Sequence, residues 1–351
     1  MPRTQRGVIG KTLRALVIGV AILAALVVLA AVEWVAYAGH ARLQREVKTP
    51  EQLDAGQGRW ITAAGARLHL REWGPAGAPT LLLIHGTGGW SGAWLTLPDV
   101  LSEAGWRVVA LDLPPFGLST LQQNAASAAP DYTRNAQAAR ILAVIDQLGA
   151  PVTLVAHSFG SGPSLEAALH AEGRLRQLVL VDPALGLGPN GEAPVCEPPG
   201  AEVSWLLARR PLRSALIAAT ATWPGFTTAL LRSFVYKKDT MTEATVARFQ
   251  RPFERAGFTP QLGDYVAGFV RGSCEAADSL DLAKVAAWAA NGPPVALVWG
   301  QRDSITPIAQ AAALKRLMPG ATLTVLPGVG HIPHVESPGE FATALLGALR
   351  R

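Results

Sequence analysis

Short and almost entirely apolar segments recur along the chain from about residue 80 to the C-terminus. They read TLLLIHG, WRVVALDLP, PVTLVAHS, RQLVLVDP, PPVALVWGQ and ATLTVLPG. Strands of a parallel sheet have this composition because helices cover both faces of the sheet. Between most of these segments, apolar residues recur at helical spacing, as in DYTRNAQAARILAVIDQLGA. The alternation predicts an α/β fold with a doubly wound, mostly parallel sheet and right-handed crossovers.

Two local signals refine this pattern. Before the first apolar segment, RWITAAGARLHLREWG predicts a hairpin that turns near Ala64 and Gly65, with His69 among the polar positions that alternate with leucines. Near the C-terminus, Thr306 and Pro307 predict the N-cap and the first position of a helix.

The regular alternation is interrupted between residues 185 and 290. This interval contains helical patterns and many aromatic residues, but no convincing buried strand. A structureless loop of this length is rare inside a domain. We therefore expect a helical cap inserted between two strands of the sheet.

A separate apolar segment lies near the N-terminus. From Ala15 to Val32 there are 18 consecutive uncharged residues, close to the roughly 20 that a transmembrane helix needs. Trp34 and Tyr37 follow, where an interfacial aromatic belt is expected. We expect an uncleaved membrane anchor with its N-terminus in the cytoplasm and the rest of the chain outside. A cleaved signal peptide is the alternative, because AYA at 36–38 resembles a cleavage site.

These patterns divide the chain into five parts. They are a membrane anchor (1–38), a linker or juxtamembrane helix (39–57), the first part of the α/β core (58–184), the helical cap (185–290) and the second part of the core (291–351). The anchor and the cap are thus additions to one sheet-containing domain.

Composition excludes several classes of function. The 351 residues carry a formal net charge of +5, much of it within the first 48 residues. The rest contains no basic run with interleaved aromatic residues, so nucleic acid is not an expected partner. No pair of residues has H-E-x-x-H or C-x-x-C spacing, so neither a metal nor another cofactor is implied. The two cysteines, Cys196 and Cys274, permit one disulfide in an oxidising compartment or two unpaired thiols.

Polar residues end several of the predicted strands, where ligands bind in open parallel sheets. Ser158 lies in VAHSFGSG, between a strand and a helix, which suits a nucleophile at the tip of a tight turn. An ordinary turn is the alternative. His331 in GVGHIPH supplies a base for this hydroxyl, and Asp303 in WGQRD supplies a carboxylate that orients the imidazole. We therefore predict a catalytic triad of Ser158, Asp303 and His331.

Acyl transfer also needs N–H donors for the developing oxyanion. The N–H of Phe159 directly follows the serine, and HGTGGW supplies a second donor, for which Thr87 is our choice. We expect His85 to brace this loop. Asp182 is expected to be structural, as the less favoured alternative to Asp303.

Together these motifs resemble the α/β-hydrolase superfamily. They are HGTGGWSGAW, DLPPFGLS, VAHSFGSG, VWGQRDSITP and GVGHIPHVESP, and the resemblance extends from about residue 59 to the C-terminus. More narrowly, they resemble the capped serine hydrolases that include monoacylglycerol lipases, carboxylesterases and C–C bond hydrolases. The resemblance implies the same triad and the same oxyanion donors. Two positions depart from it, since Pro115 and Ala156 stand where the family usually has glycine.

The resemblance implies hydrolysis through an acyl-enzyme. An aromatic cap and a membrane anchor favour a hydrophobic carboxylic ester as the substrate. A hydrolase of C–C, amide or thioester bonds is the alternative, because the same triad serves these reactions. A non-catalytic binding protein on this fold is a more remote alternative. The acyl chain length and the oligomeric state do not follow from the sequence.

Overall fold

The computed structural model describes residues 3–122, 130–149, 151–188, 191–192, 200–271 and 276–349. Cys196 and Cys274, for which the sequence permits a disulfide, lie outside these residues.

One sheet of nine strands forms the centre of the described residues. The strands are β1 (Arg59–Ala63), β2 (Ala66–Trp73), β3 (Thr80–Ile84), β4 (Arg107–Leu111), β5 (Thr120–Leu121), β6 (Val152–His157), β7 (Leu175–Val181), β8 (Val295–Gly300) and β9 (Thr322–Leu326). Their order is β1-β2-β4-β3-β6-β7-β8-β9, and β5 pairs with β2. The pairs that involve β2 are antiparallel, whereas all neighbours from β4 to β9 are parallel. The mostly parallel sheet is thus confirmed.

Helices surround this sheet. Those of the described residues are α1 (Arg3–Arg45), α2 (Pro50–Asp54), α3 (Leu97–Glu103), α4 (Arg134–Leu148), α5 (Ser161–Leu169), α6 (Ala201–Ala208), α7 (Arg210–Ala219), α8 (Pro224–Phe234), α9 (Glu243–Gln250), α10 (Phe258–Arg271), α11 (Leu282–Asn291), α12 (Ala309–Leu317), α13 (Pro333–Glu336) and α14 (Pro338–Leu349).

The two faces of the parallel strands are covered by different helices, because alternate strand residues point to opposite faces. In β3, Leu82 and Ile84 belong to a core cluster with residues of α4, α5, α11 and α12. Leu81 and Leu83 belong to a second cluster with residues of α3 and α14. Val285 of α11 is fully buried in the first cluster, so this helix packs as a layer of the core, although it lies within the range expected for the cap.

The segment between β7 and β8 covers one end of the sheet. Its described residues form α6 to α11 and short 3₁₀ turns, without a strand. Arg255 ties this segment to the loop after β4, because its buried guanidinium donates to the carbonyl oxygens of Pro115 (2.9 Å) and Gly117 (3.2 Å). The loop in which Pro115 replaces a glycine of the family is therefore held by the cap.

The N-terminal helix continues beyond the apolar segment and packs against the cap. Ala38 is fully buried against α7, and Trp34 Nε1 donates to the carbonyl oxygen of the last residue of α7 at 3.2 Å. Lys48 then forms a parallel β-bridge with Arg255. The segment 39–57, expected to be a linker or juxtamembrane helix, is therefore helical as far as Arg45 and again over Pro50–Asp54, and it is attached to the cap.

Among the described residues, one helix is long and apolar enough to cross a membrane. It comprises Leu16–Arg45, and none of its most apolar stretch is buried within the protein. Length and composition of this kind are shared by membrane anchors and signal sequences.

Candidate active site

Ser158 lies at a sharp turn between β6 and α5. Its φ is +50°, in the left-handed region, which costs a residue with a side chain about 1–3 kcal/mol. The turn passes close to the loop after β3. A Cβ on Gly160 would lie 2.5 Å from the carbonyl oxygen of His85, and one on Gly86 would lie 2.9 Å from the Cβ of Ser158. Glycine at these positions lets the two loops meet, and the Ala156 side chain fits fully buried in the preceding strand.

His331 joins Ser158 to Asp303. Its Nε2 atom lies 2.8 Å from Oγ of Ser158, and its Nδ1 atom lies 2.8 Å from Oδ2 of Asp303. All three side chains are buried. Because the carboxylate accepts the proton of Nδ1, the Nε2 atom is left to accept a hydrogen bond from the serine hydroxyl. The structure thus brings the three residues singled out from the sequence into one hydrogen-bonded chain.

Asp303 is held as an anion by its own loop. Its Oδ1 accepts from the N–H groups of Ile305 (2.7 Å) and Thr306 (2.9 Å), and its Oδ2 also accepts from the Thr306 hydroxyl at 2.6 Å. Burial raises the pKa of Asp303, but His331 and Thr306 outweigh burial and leave that pKa below its usual value. The prediction that Thr306 is a helix N-cap is wrong, because this hydroxyl is bound to Asp303 and α12 begins only after Ile308. The pattern D-x-x-T was a signal for this contact that the sequence reasoning missed.

Asp182 lies at the end of β7, beside Asp303. It is fully buried, and its φ is +43°. Its Oδ1 accepts from the N–H of Gly300 at 2.7 Å. The ring of His331 hydrogen-bonds to Asp303 rather than to Asp182.

The loop after β3 is braced by His85. The Nδ1–H group donates to the carbonyl oxygen of Gly86 (2.8 Å), and Nε2 accepts from the N–H of Leu113 (3.0 Å). Burial lowers the pKa of His85, which keeps the ring neutral and fits these donor and acceptor roles. Thr87 and Phe159, the expected oxyanion donors, both line the cavity into which Ser158 opens.

A buried histidine holds the neighbouring loops. The alternation in β2 predicts a polar face for His69, yet this side chain is fully buried. Its Nδ1 lies 2.9 Å from Oδ2 of Asp112, and its Nε2 lies 2.8 Å from Oδ1 of Asp54. Asp112 also accepts from the N–H groups of Ser91 (2.5 Å) and Leu118 (2.8 Å), which fixes two loops near the site. No signal in the local sequence marked this cluster, because its members come from α2, β2 and the end of β4.

Two further histidines lie beside His331. His157 Nε2–H donates to the carbonyl oxygen of His331 at 2.7 Å. The ring centroids of His334 and Trp94 lie 4.7 Å apart. Burial, followed by the neighbouring histidines, holds the pKa of His157 well below its usual value. Burial and the charge of His331 lower the pKa of His334 to about 3. Both rings are therefore neutral at physiological pH.

Ser158 opens into a cavity of about 640 Å³ between the carboxyl ends of the strands and the cap. Its apolar lining includes Trp90, Trp94, Phe159, Leu231, Phe234, Phe249, Tyr265, Phe269, Leu280 and Ile305. Among the described lining residues, Arg134 alone carries a permanent charge. Its guanidinium already donates to the Ser279 hydroxyl (3.1 Å) and to the Leu185 carbonyl (3.2 Å). The cavity therefore suits an uncharged, apolar ligand.

Two groups of side chains in the described part of the chain have the donor types of a metal site. One is Asp182, Asp303 and His331, and the other is Glu166, His170 and Asp278. In the first group, the oxygens of Asp303 already accept four hydrogen bonds. In the second group, Glu166 accepts from two backbone N–H groups, and Asp278 forms an ion pair with Lys284. These contacts engage the oxygens of Asp303 in the first group and both carboxylates of the second group.

Comparisons with known proteins agree with this architecture. The chain matches the alpha/beta hydrolase family over residues 81–344. It is 31% identical over 273 residues to the dihydrolipoyllysine-residue acetyltransferase component of the acetoin cleaving system of Cupriavidus necator, a match that covers 77% of this chain and 63% of that protein. It thus spans less than two thirds of that relative.

Two other proteins are similar over more of their length. The chain is 28% identical over 291 residues to the 2-hydroxy-6-oxononadienedioate/2-hydroxy-6-oxononatrienedioate hydrolase of Burkholderia vietnamiensis, covering 81% of this chain and 91% of that enzyme. The fold is similar to that of a bacterial membrane phospholipase A, with a TM-score of 0.59, 22% identity and coverage of 97% of this chain and 98% of the other. From its match over residues 81–344 and its fold, this chain belongs to the alpha/beta hydrolase family.

Proposed function

We propose that this chain is a membrane-anchored serine hydrolase that cleaves a hydrophobic carboxylic ester through an acyl-enzyme. The observation that carries the proposal is the hydrogen-bonded chain from Ser158 through His331 to Asp303 at the wall of an apolar cavity. A hydroxyl is a poor nucleophile unless a base removes its proton, and this geometry supplies the base.

The proposed reaction has two similar halves. Ser158 attacks the acyl carbonyl while His331 Nε2 takes its proton, and Asp303 stabilises the imidazolium that forms. His331 then protonates the leaving alcohol, and a water molecule releases the acid by the same steps. The N–H groups of Thr87 and Phe159 are assigned to the oxyanion, and loss of one such donor typically costs about 2.7–4 kcal/mol.

The electrostatics of the cavity favour a neutral ester over a diacid. Arg134 is already engaged by protein oxygens, and the lowered pKa values of His85, His157 and His334 leave those rings uncharged. A dianionic substrate would lose its hydration without a matching cation, which is costly. The aromatic side chains of the cap instead favour an apolar acyl chain.

Cleavage of a C–C, amide or thioester bond is the second candidate. The similarity to a hydrolase of 2-hydroxy-6-oxo dienedioates in Burkholderia vietnamiensis favours it. A non-catalytic binding protein is a remote third reading, and the triad geometry argues against it.

The contacts of the N-terminal helix support an uncleaved anchor. Cleavage after Ala38 would remove this buried residue and also Trp34, whose indole donates to α7. The cap would then expose the small-residue surface that α1 covers. We propose that α1 crosses the membrane once and that the hydrolase domain lies outside the cytoplasm.

Labelling of the full-length protein in detergent micelles tests this function. A fluorophosphonate should modify Ser158, as located by peptide mass spectrometry, and labelling should fade in Asp303→Ala and His331→Ala. Ser164→Ala is a matched control, because this buried hydroxyl on α5 makes no hydrogen bond to the described residues. Unlabelled Ser158 in correctly folded protein would contradict the proposal.

The bond and the chain length require a substrate panel. We expect p-nitrophenyl esters of medium or long acyl chains to be hydrolysed faster than acetate esters and faster than 2-hydroxy-6-oxo dienedioates. Faster cleavage of the 2-hydroxy-6-oxo dienedioates would instead favour hydrolysis of a C–C bond.

A further inference from the structure

Asp182 is held firmly beside the proposed triad. Its N–H donates to the carbonyl oxygen of Val298 at 3.0 Å, and its own carbonyl oxygen lies 3.2 Å from the hydroxyl oxygen of Thr306, which donates its proton to Asp303. Its φ of +43° is one that a residue with a side chain keeps only where its surroundings enforce it. The position of its carboxyl group is therefore set by β8 and by the loop that carries Asp303.

The carboxyl group of Asp182 lacks the donors that an anion needs. Oδ1 accepts from the N–H of Gly300 at 2.7 Å, whereas Oδ2 is buried and accepts no hydrogen bond from the described residues. One oxygen each of Asp182 and Asp303 and a ring nitrogen of His331 all lie within 4.8 Å of one another. An ionised Asp182 would thus be a poorly compensated buried charge that faces a second anion.

Asp303 has the opposite surroundings, since four hydrogen bonds reach its two oxygens. When two carboxyl groups share a dry site, the group with more donors keeps the negative charge. Burial raises the pKa of Asp182 well above its usual value, and the negative charges of Asp303 and of Glu336 on α13 raise it further. The N–H of Gly300 acts in the other direction but does not offset these effects.

We propose that Asp182 is a neutral carboxylic acid at the pH of catalysis, that its Oδ2–H group donates to Asp303, and that it is thereby a positioning residue for this carboxylate. The inference rests on the proposed role of Asp303 in the triad. A neutral Asp182 leaves one negative charge beside the imidazole instead of two. The single carboxylate of Asp303 then faces the imidazolium that forms when His331 takes the serine proton, as a triad requires.

Asp182→Asn tests the charge without changing the shape. Asparagine tolerates a positive φ, donates through its amide as the acid does, and does not ionise. We expect the full-length variant to keep kcat/KM for a p-nitrophenyl ester within about threefold, with the acidic limb of its pH profile unchanged. If Asp182 were an anion, the substitution would remove a negative charge from beside the triad and shift that limb to lower pH by about one unit or more. Such a shift would overturn the proposal.

Asp182→Ala separates the hydrogen bond from a merely structural role. We expect kcat to fall about tenfold with little change in KM, the rate equivalent of one ordinary hydrogen bond, whereas Asp182→Asn restores it. Equal loss in both variants would count against a donor role.

Infrared spectroscopy gives a readout that needs neither turnover nor a well-folded alanine variant. The difference spectrum of wild type and Asp182→Asn at neutral pH should contain the carbonyl band of a protonated carboxyl group. Absence of that band would show an ionised Asp182 and overturn the inference. Since the spectrum is recorded on resting protein, it stands apart from the fluorophosphonate result on Ser158, and failure of the proposed function is recognised separately.

Discussion

The Nε2 atom of His331 lies 2.8 Å from the Oγ atom of Ser158, although 173 positions separate the two residues in the chain. The backbone of His331 is held from two sides. Its N–H donates to Phe234 of α8 in the cap at 3.1 Å, and its carbonyl oxygen accepts from His157 at the end of β6 at 2.7 Å. Cap and sheet therefore determine the position of the imidazole together.

Removal of the Ser158 hydroxyl or of the His331 imidazole should lower the activity to the same extent. We expect Ser158→Ala and His331→Ala each to lower kcat for ester hydrolysis by about 10⁴-fold or more, because the two residues act as one unit. The double variant should be no slower than either single variant. Steady-state kinetics, with circular dichroism to verify folding, measures this. Strictly multiplicative losses would show that the two side chains act independently.

The close approach at Gly160 should make this position intolerant of any side chain. A Cβ there would lie 2.5 Å from the backbone oxygen of His85, so Gly160→Ala must displace the loop that carries Thr87. We expect a loss of about 1–3 kcal/mol in unfolding free energy, together with reduced kcat. Gly347→Ala in α14 is the matched control. Its Cβ would meet nothing within 4 Å, so it should stabilise the protein by about 0.5–1 kcal/mol. Urea denaturation compares the two, and equal effects would contradict the steric argument.

The buried histidine at β2 should give stability a particular pH dependence. Burial lowers the pKa of His69, but the carboxylates of Asp112 and Asp54 outweigh burial and raise it. Burial raises the pKa of Asp112, but His69 and the backbone N–H of Leu118 outweigh burial and lower it. The contribution of His69 to the free energy of unfolding is therefore complete below its pKa in the unfolded chain, about 6.5. It is lost as the pH rises through the pKa of His69 in the folded protein. The contribution of Asp112 is complete above about pH 3.9 and is lost as the pH falls through the folded value.

His69→Gln should consequently lower the free energy of unfolding most between about pH 4 and 6.5. We expect about 3–5 kcal/mol near pH 5.5, because two buried carboxylates lose their cation, and a smaller loss at pH 9. Urea unfolding at the two pH values measures the difference. His170→Gln is the control, since this ring is half exposed and its ion pairs should contribute at most about 1 kcal/mol. A loss for His69→Gln that did not vary with pH would exclude a charged histidine.

The packing of α1 on the cap should depend on a small residue at position 39. A Cβ on Gly39 would already lie 3.5 Å from the Cβ of Ala215 on α7, so a leucine there separates the helices. We expect Gly39→Leu to destabilise the protein in micelles by about 1–3 kcal/mol and to increase proteolysis within the cap. Gly19→Leu changes the same helix where nothing lies within 4 Å, and it should be neutral. Equal behaviour of the two variants would argue that α1 is attached to the cap only by its flanking segment.

The sequence by itself determined the strands of the sheet and the residues of the proposed chemistry. Apolar runs such as TLLLI, VTLVAH and VALVWG are strands because a segment covered on both faces needs no polar side. The order of Ser158, Asp303 and His331 along the chain, each after a strand, was sufficient to bring them to one edge, since parallel strands end on the same side.

Only the tertiary structure decided which polar groups share a partner. Thr306 binds Asp303 instead of capping α12, and His69 joins carboxylates from α2 and β4 although its strand predicts a polar face. Such contacts depend on which strands are neighbours in the sheet and on the exclusion of water from the interior. Neither is a local property of the chain. The same holds for Asp182 and Asp303. The pairing of β7 with β8 places these two buried carboxyl groups beside each other. Asp182 accepts one hydrogen bond there, and its second oxygen accepts none from the described residues.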